Sequence, residues 1–275
     1  MNSTKPIGIF DSGYGGLTVL KELVSKLPDY DFLYLGDNAR APYGTRSFNT
    51  VYEYTLQCVT WFFKQECPLV ILACNTASAK ALRTIQQKDL KTIGQGKRVL
   101  GVIRPTAEII GSFTKTNHIG ILGTKGTVQS QSYPIEINKF FPAVKVFQQA
   151  CPLWVPFVES NEFENRGADY FIKRDIDNLI NQSKDIDTIL LACTHYPVLL
   201  KKIQKFSPDT INIISQGEII ANSLQDYLHR HPEIEEKCGK NGKVELFTTD
   251  TEADFDLHSE AFFGKALKSK HIKLE

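Results

Sequence analysis

Seven short apolar runs constrain this chain more than any other feature. They are nearly continuous in hydrophobicity, which is the pattern of parallel strands covered on both faces. Segments of helical period, such as "GGLTVLKELVSKL" and "PVLLKKIQKF", lie between them. This alternation predicts an α/β fold in which mainly parallel sheets are flanked by helices. The runs are "IGIF" at Ile7, "FLYL" at Phe32, "LVILA" at Leu69, "VLGVI" at Val99, "IGILG" at Ile119, "TILLA" at Thr188 and "INII" at Ile211.

A faint internal duplication indicates two similar α/β halves. "IGIFDSG" at Ile7 is echoed by "IGILGTKGT" at Ile119, and "ILACNT" at Ile71 by "LLACTH" at Leu190. Chance resemblance between buried strands is the alternative. We expect a first domain of residues 1–98 and 211–275, a second of residues 99–210, and the active site between them. The polar stretch "QQKDLKTIGQGKR" and the stretch "FSPDT" are the expected crossings.

Charge and hydropathy exclude some classes of protein. The 275 residues carry a formal net charge of +1, so no bias toward nucleic acid or membrane surfaces is expected. No apolar stretch reaches the ~18–20 residues of a membrane span. The first residues, "MNSTKPIGIFDSG", lack the apolar segment of a signal peptide. We therefore expect a soluble, cytoplasmic protein that does not bind membranes or nucleic acid.

Six cysteines are present, and none forms a C-x-x-C pair, so we expect neither a zinc site nor disulfides. Four of them read as small buried hydrophobic residues. These four are Cys58, Cys67, Cys151 and Cys238. Cys74 and Cys193 differ, because each ends an apolar run and precedes small polar residues and a helix.

Polar residues follow the expected strands at the carboxyl ends, where ligands of parallel sheets bind. They are Asp11 and Ser12, Asp37 and Asn38, Cys74 to Thr76, Thr124, and Cys193 to His195. Gly13, Gly15 and Gly16 permit close backbone approach at a helix start. The loop Pro42-Tyr43-Gly44 could fold over a ligand and offer amide donors.

If the halves face each other, Cys74 and Cys193 approach a ligand from opposite sides. A position at a strand end before a helix is expected to lower the pKa of each thiol. Two opposed acid/base groups suit stereoinversion at carbon, because one removes a proton and the other delivers one to the opposite face. Asp11 could assist Cys74, and His195 could assist Cys193. Glu159, on its own, reads as an ordinary helix residue.

The motifs "FDSGYGGLTV", "GDNARAPYG", "ACNTAS" and "ACTHYP" occur in this order, and with them the chain resembles the glutamate racemases of the cofactor-independent aspartate/glutamate racemase superfamily. The resemblance covers nearly the whole chain. It implies two α/β domains with the active site between them, and interconversion of L- and D-glutamate without metal or other cofactor. The D-form would supply peptidoglycan synthesis. We also expect a homodimer.

The resemblance also assigns roles to residues. It matches Cys74 and Cys193 to the two catalytic cysteines, with Cys74 as the base toward D-glutamate and Cys193 toward L-glutamate. It makes Asp11, Glu159 and His195 their helpers. The matching substrate-binding positions are Asp11, Ser12, Pro42, Tyr43, Gly44, Asn75, Thr76, Thr124, Thr194 and His195. One departure lies in "VIRPTAE", where many members have a small residue after the proline and this chain has Thr106.

Three other functions fit parts of the pattern. An aspartate racemase would differ in the size of its substrate only. A cysteine hydrolase needs one nucleophile and leaves the second Ala-Cys unexplained. A non-catalytic amino-acid-binding protein would tolerate loss of both thiols.

The sequence also shows no residue that obviously neutralises the substrate carboxylates with a full positive charge, so the stabilisation of the carbanion is open.

Overall fold

Two parallel sheets form the centre of the molecule in a computed structural model that describes residues 5–274. The larger sheet has the strand order β10-β9-β2-β1-β3-β4 and the smaller has the order β6-β5-β7-β8. Every neighbouring pair in both sheets is parallel. The strands are β1 (Ile7–Asp11), β2 (Phe32–Gly36), β3 (Leu69–Leu72), β4 (Arg98–Gly101), β5 (His118–Gly123), β6 (Lys145–Ala150), β7 (Thr188–Ala192), β8 (Asn212–Ile214), β9 (Val244–Thr248) and β10 (Ser269–His271).

Helices follow most of the strands and cover the faces of both sheets. They are α1 (Leu17–Lys26), α2 (Phe48–Lys64), α3 (Asn75–Lys80), α4 (Leu82–Thr84), α5 (Leu90–Ile93), α6 (Ile103–Ala107), α7 (Lys125–Gln129), α8 (Ser132–Phe140), α9 (Trp154–Glu159), α10 (Arg166–Ile180), α11 (Leu200–Phe206), α12 (Gly217–Arg230), α13 (Pro232–Glu235) and α14 (Glu252–Phe263). Within residues 5–274, no helix has the length and apolar character needed to cross a membrane.

Capping residues explain where several of the helices begin. The side chains of Ser47, Asn165 and Thr251 each accept a hydrogen bond from a backbone N–H in the first turn of α2, α10 and α14. Such caps satisfy amides that have no partner within the helix. At the other end of α14, Gly264 adopts a φ of +88°, a conformation that favours glycine.

The seven expected apolar runs all contain strands, and the predicted α/β fold with parallel sheets is confirmed. Three strands were not expected from the sequence. β6 and β10 are edge strands, and most of their residues are partly or fully exposed. β9 mixes exposed and buried residues. These strands lack the continuous apolar pattern because they are not buried on both faces.

The chain changes from one sheet to the other later than the sequence suggested. β4 still pairs with β3 in the larger sheet, so the first crossing follows Gly101 rather than preceding Val99. The stretch around Lys88 instead forms a π-helical turn (Ile85–Asp89) and α5 inside the first half. β8 pairs with β7 in the smaller sheet, so the return follows Ile214 rather than Pro208. The C-terminal strands β9 and β10 rejoin the larger sheet, as expected.

The domain division at residues 99 and 211 stays a prediction, although these points do not coincide with the change of sheet. Residues 1–4 and 275, which the expected first domain includes, lie outside the described residues.

Packing between β1 and α2 leaves no room for a side chain at Gly8. A methyl group built there would lie 2.6 Å from Cδ1 of Phe62, which is fully buried. At Gly123, the last residue of β5, the nearest atom would be 3.5 Å away, an ordinary contact distance. The two glycines therefore differ in how tightly the core packs against them.

We expect Gly8→Ala to lower the free energy of unfolding by about 1–3 kcal/mol, because a buried ring must move to admit the methyl group. Gly123→Ala is the matched control and should change it by less than about 0.5 kcal/mol. Urea unfolding followed by far-UV circular dichroism measures both. Equal stability of the two variants would contradict the packing difference.

Candidate active site

The carboxyl ends of β1 and β7 meet across the seam between the two halves. Asp11 ends β1 and is fully buried; its Oδ2 accepts a hydrogen bond from Oγ1 of Thr194 at 3.2 Å. Its Oδ1 accepts from the backbone N–H of Gly13 at 3.0 Å. A Cβ at Gly15 would lie 2.4 Å from both Nδ1 of His195 and Oγ1 of Thr194, so a residue without a side chain is required there. The glycine-rich turn thus brings the two predicted clusters into contact.

Cys74 follows β3 and caps the N-terminus of α3. Its Sγ accepts from the N–H of Ala77 at 3.5 Å and lies 3.5 Å from Oγ of Ser12. The side chain is buried, with 6% of the residue exposed. Burial and the negative charge of Asp11 raise the pKa of Cys74 to about 12. The expectation of a lowered pKa is therefore wrong for this thiol, since burial outweighs its hydrogen bonds with Ser12 and Ala77.

Cys193 follows β7 and lies beside a histidine–glutamate pair. Its Sγ is 3.9 Å from Nδ1 of His195, and Nε2 of the same ring is 3.1 Å from Oε1 of Glu159 at the end of α9. Burial by itself would lower the pKa of His195, but its interactions with Cys193 and Glu159 outweigh burial and raise the pKa to about 10. The ring is therefore protonated at neutral pH and carries a positive charge into the site.

Asp11 takes part in the electrostatics of Cys74 and of His195. Its complete burial raises its pKa, although the charge of His195 and the hydrogen bonds of Gly13, Gly16 and Thr194 act in the opposite direction. A carboxyl group with a raised pKa can exchange a proton with a neighbour more readily than an ordinary carboxylate. The structure therefore brings Asp11 and Cys74 together on one side and Glu159, His195 and Cys193 on the other.

Hydroxyl groups from both halves meet near α3. Oγ1 of Thr76 and Oγ1 of Thr124 are 2.9 Å apart, and Thr124 also caps α7 by accepting from the N–H of Thr127 at 3.2 Å. The carbonyl of Gly44 accepts from the N–H of Gly126 at 2.8 Å. A Cβ at Gly44 would lie 2.9 Å from Cβ of Thr124, so the loop passes directly against the second half.

The loop that contains Pro42, Tyr43 and Gly44 is held by a buried carboxylate. Asp37 is fully buried and accepts from Nε of Arg40 at 2.7 Å and 3.0 Å, and from the hydroxyl of Tyr43. The Tyr43 hydroxyl is therefore engaged within the first half. Asp37, which the sequence placed at the ligand-binding edge, instead anchors this loop.

Two partners of the Asn75 side chain are not among the residues predicted from the sequence. Nδ2 of Asn75 donates to Oε1 of Gln216 at 2.8 Å, and its Oδ1 accepts from the hydroxyl of Tyr133 at 2.5 Å. Gln216 lies two residues after β8, at the same carboxyl edge as the predicted residues, so its position was a usable signal. Tyr133 lies on α8, and no sequence pattern distinguished it.

Among residues 5–274, no group of three or more His, Cys, Asp and Glu side chains is arranged to hold a metal ion. Cofactor independence stays a prediction. Cys58, Cys67, Cys151 and Cys238 are all buried, as expected.

The chain matches a known family over most of its length. The sequence profile of Asp/Glu/Hydantoin racemases matches residues 8–224, a range that contains all the predicted site residues. The chain therefore belongs to the Asp/Glu/Hydantoin racemase family, a family of isomerases.

Within this family the chain is similar to glutamate racemases. The enzyme of Geobacter metallireducens is 36% identical over 263 residues, which cover 96% of this chain and 94% of the relative. The crystal structure of a glutamate racemase isoform from Bacillus anthracis superposes with a TM-score of 0.88 at 32% identity and 98% coverage of both chains. The Francisella tularensis glutamate racemase, solved in complex with D-glutamate, gives a TM-score of 0.86 at 30% identity and covers 99% of this chain and 98% of its own.

The raised pKa of His195 predicts a pH-dependent contribution to stability. Because the pKa rises from 6.5 to about 10 on folding, this contribution is fully present below pH 6.5 and is lost as the pH rises through about 10. The loss should amount to about 1.4 kcal/mol per pH unit across that window. The difference in free energy of unfolding between the native protein and His195→Gln should therefore shrink over this range.

Urea unfolding at about pH 6 and about pH 10.5 measures that difference. His229→Gln, at an exposed position of α12, is the control and should show no such trend. A difference for His195→Gln that stays constant with pH would argue against a protonated ring at neutral pH.

Proposed function

We propose that the protein interconverts L- and D-glutamate by a mechanism with two bases, Cys74 and Cys193. The observation that carries this proposal is the pair of buried cysteines, one from each half, that follow β3 and β7 and have different acid/base partners. The similarity to glutamate racemases over nearly the whole chain supports glutamate as the substrate. A hydrolase would use one thiol, whereas both thiols here have a helper.

In this mechanism one sulfur takes the α-proton and the other returns a proton to the opposite face. The thiolate of Cys193 removes the proton of L-glutamate and becomes a thiol, and the C–H electron pair stays on carbon. The thiol of Cys74 then protonates this carbanion and becomes a thiolate. The reverse direction starts with Cys74 as base toward D-glutamate. Each turnover leaves the two thiols with exchanged protonation states, so proton transfer through solvent or helpers must restore them.

The neighbours of each cysteine suit this exchange. Burial raises the pKa of Cys74, so it rests as a thiol and can act as an acid. For Cys74 to act as a base, Asp11 can accept its proton. On the other side, the protonated His195 attracts negative charge that forms on the sulfur of Cys193, and Glu159 holds the ring in place.

The same geometry offers stabilisation for the substrate. Asn75 and Thr76 are the first residues of α3, so their amides have no partner within the helix and can donate to a carboxylate. The hydroxyls of Ser12, Thr76 and Thr124 add donors. The charge of His195 supplies the positive group that the sequence did not reveal, and fixed donors in a dry site stabilise developing negative charge strongly.

The cellular setting is part of the proposal. We infer a cytoplasmic enzyme whose D-glutamate supplies peptidoglycan synthesis, and a homodimer that needs no metal or other cofactor. The support is the family resemblance together with the balanced charge of the chain. Light scattering after size-exclusion chromatography measures the oligomeric state.

Isotope incorporation tests the use of two bases. In deuterated water the product should gain deuterium at its α-carbon, while substrate recovered early should gain little. The reason is that the proton delivered to the product comes from a thiol that has exchanged with solvent. Mass spectrometry of the separated enantiomers measures both labels. Equal early labelling of substrate and product would mean that a single base suffices.

Single replacements of the two cysteines should abolish most of the activity. We expect Cys74→Ser and Cys193→Ser each to lower the rate of racemisation at least about a hundredfold, because a hydroxyl is a far poorer base than a thiolate at neutral pH. Each variant should still exchange the α-proton of one enantiomer only, and the two should prefer opposite enantiomers. Circular dichroism of D- and L-glutamate solutions follows the reaction.

Cys238→Ser is the matched control, since Cys238 is buried away from the seam and should tolerate the change with near-native activity. Near-native activity in Cys193→Ser would reduce that residue to a packing role.

The same assay with aspartate tests the substrate, and activity on aspartate alone would make the protein an aspartate racemase. Loss of activity on chelation with recovery on adding metal would overturn cofactor independence.

A further inference from the structure

Gln216 lies at the point where the chain returns from the smaller sheet to the larger one. It follows β8 and immediately precedes α12, which packs against α1 in the first half. Only 5% of the residue is exposed. A buried side-chain amide is costly unless its polar atoms are paired, so its partners indicate what keeps it there.

The side chains of Gln216, Tyr133 and Asn75 form a closed ring of hydrogen bonds. Nε2 of Gln216 donates to the hydroxyl of Tyr133 at 2.7 Å, and this hydroxyl donates to Oδ1 of Asn75 at 2.5 Å. Nδ2 of Asn75 completes the ring by donating to Oε1 of Gln216 at 2.8 Å. Each member both donates and accepts, and all three are buried. We call this the Gln216 ring.

Gln216 also joins the two crossings between the halves. Its Nε2 donates to Oγ1 of Thr106 at 2.7 Å and lies 3.4 Å from the carbonyl of Val102. Both residues belong to the first crossing, directly after β4. The Thr106 hydroxyl donates in turn to the carbonyl of Val102 at 2.9 Å. One side chain therefore connects both segments about which the halves could turn.

One member of the Gln216 ring, Asn75, belongs to the candidate active site. Asn75 is the first residue of α3 and follows Cys74 directly in the chain. Its side-chain oxygen and nitrogen are both engaged by the ring, so the side chain holds α3 in place and the backbone amide is left to face a ligand. Any turning of the halves that breaks the ring would also move Cys74 relative to Cys193.

We propose that Gln216 is a positioning residue that links the two crossings to Asn75 and so aligns Cys74 with Cys193. This proposal rests on the two-cysteine mechanism proposed above. Thr106, which accepts from Gln216 and donates to the carbonyl of Val102, is part of the same link. Gln216 touches neither thiol, and its effect on the reaction passes through Asn75.

Gln216→Met tests the link, because methionine keeps the length of the side chain and removes its donors and its acceptor. We expect turnover with glutamate to fall about tenfold, since buried partners lose their hydrogen bonds and α3 shifts. When the thiols are misaligned, the carbanion should more often be reprotonated on its original face, which returns it to substrate. Substrate recovered early should therefore carry several times more deuterium per product formed. Gln225→Met, at an exposed position of the same helix, is the matched control and should change neither quantity.

Amide hydrogen exchange provides a readout that does not depend on activity. In Gln216→Met, peptides that span residues 74–80 and 98–107 should exchange several times faster, while those of α10 should not change. Faster exchange with unchanged turnover and labelling would show a merely structural role and overturn the proposal. Unchanged exchange together with unchanged turnover would overturn it as well.

Two further variants keep the proposal testable if Gln216→Met does not fold. Thr106→Val removes only the contact to the first crossing, and Tyr133→Phe removes one hydroxyl of the ring. Each should lower turnover and raise the ratio of substrate labelling to product, and combining them should cost less than the product of the single effects, because they act on one network. Independent, multiplicative effects would contradict a shared link through Gln216. If the native protein does not racemise glutamate, the proposed function fails, and amide exchange alone then decides whether Gln216 joins the crossings.

Discussion

The structure depends on the burial of polar groups at the seam where the carboxyl ends of two parallel sheets meet. Asp11 and His195 are almost fully buried there. His195 finds its partners, Cys193 and Glu159, within its own half, whereas Asp11 also needs one from the other half. Asp11 accepts a hydrogen bond from Thr194 of the second half, and Gly15 packs against Thr194 and His195. Since a buried charge without a partner is strongly unfavourable, the contact with Thr194 ties the buried carboxyl group of the first half to the second half.

The same burial sets the chemistry on each side of the seam. Cys74 has an aspartate and a serine beside it, and removal from water raises the pKa of its thiol. His195 is just as buried, yet Glu159 and Cys193 keep it protonated. Two cysteines in equivalent positions of similar halves therefore have opposite electrostatic surroundings. In the mechanism proposed above, this asymmetry suits the direction that starts with Cys193 as the base. The reverse direction needs Asp11 to accept the proton of Cys74.

Sequence patterns anticipated most of the fold and the candidate site. Runs buried on both faces, such as that at Leu69, are recognisable because they are continuously apolar, and their ends locate Cys74 and Cys193. The edge strands at Lys145 and Ser269 were missed because one face or edge stays in water and the pattern is mixed. The crossings were misplaced because a polar segment such as that around Lys88 can lie on the surface of one half as easily as between two.

By itself, the sequence determined which residues end the strands, because hydrophobic continuity and the small polar residues that follow it are local properties of the chain. It thereby determined the class of fold and the paired thiols. Only the tertiary structure decided the partners and the charge states, since these depend on distance and burial across the seam. From the sequence, a thiol before a helix is expected to have a lowered pKa. In the folded protein, burial next to Asp11 instead raises the pKa of Cys74 and keeps it protonated. In the same way, Gln216 became significant only when folding placed it between Thr106, Tyr133 and Asn75.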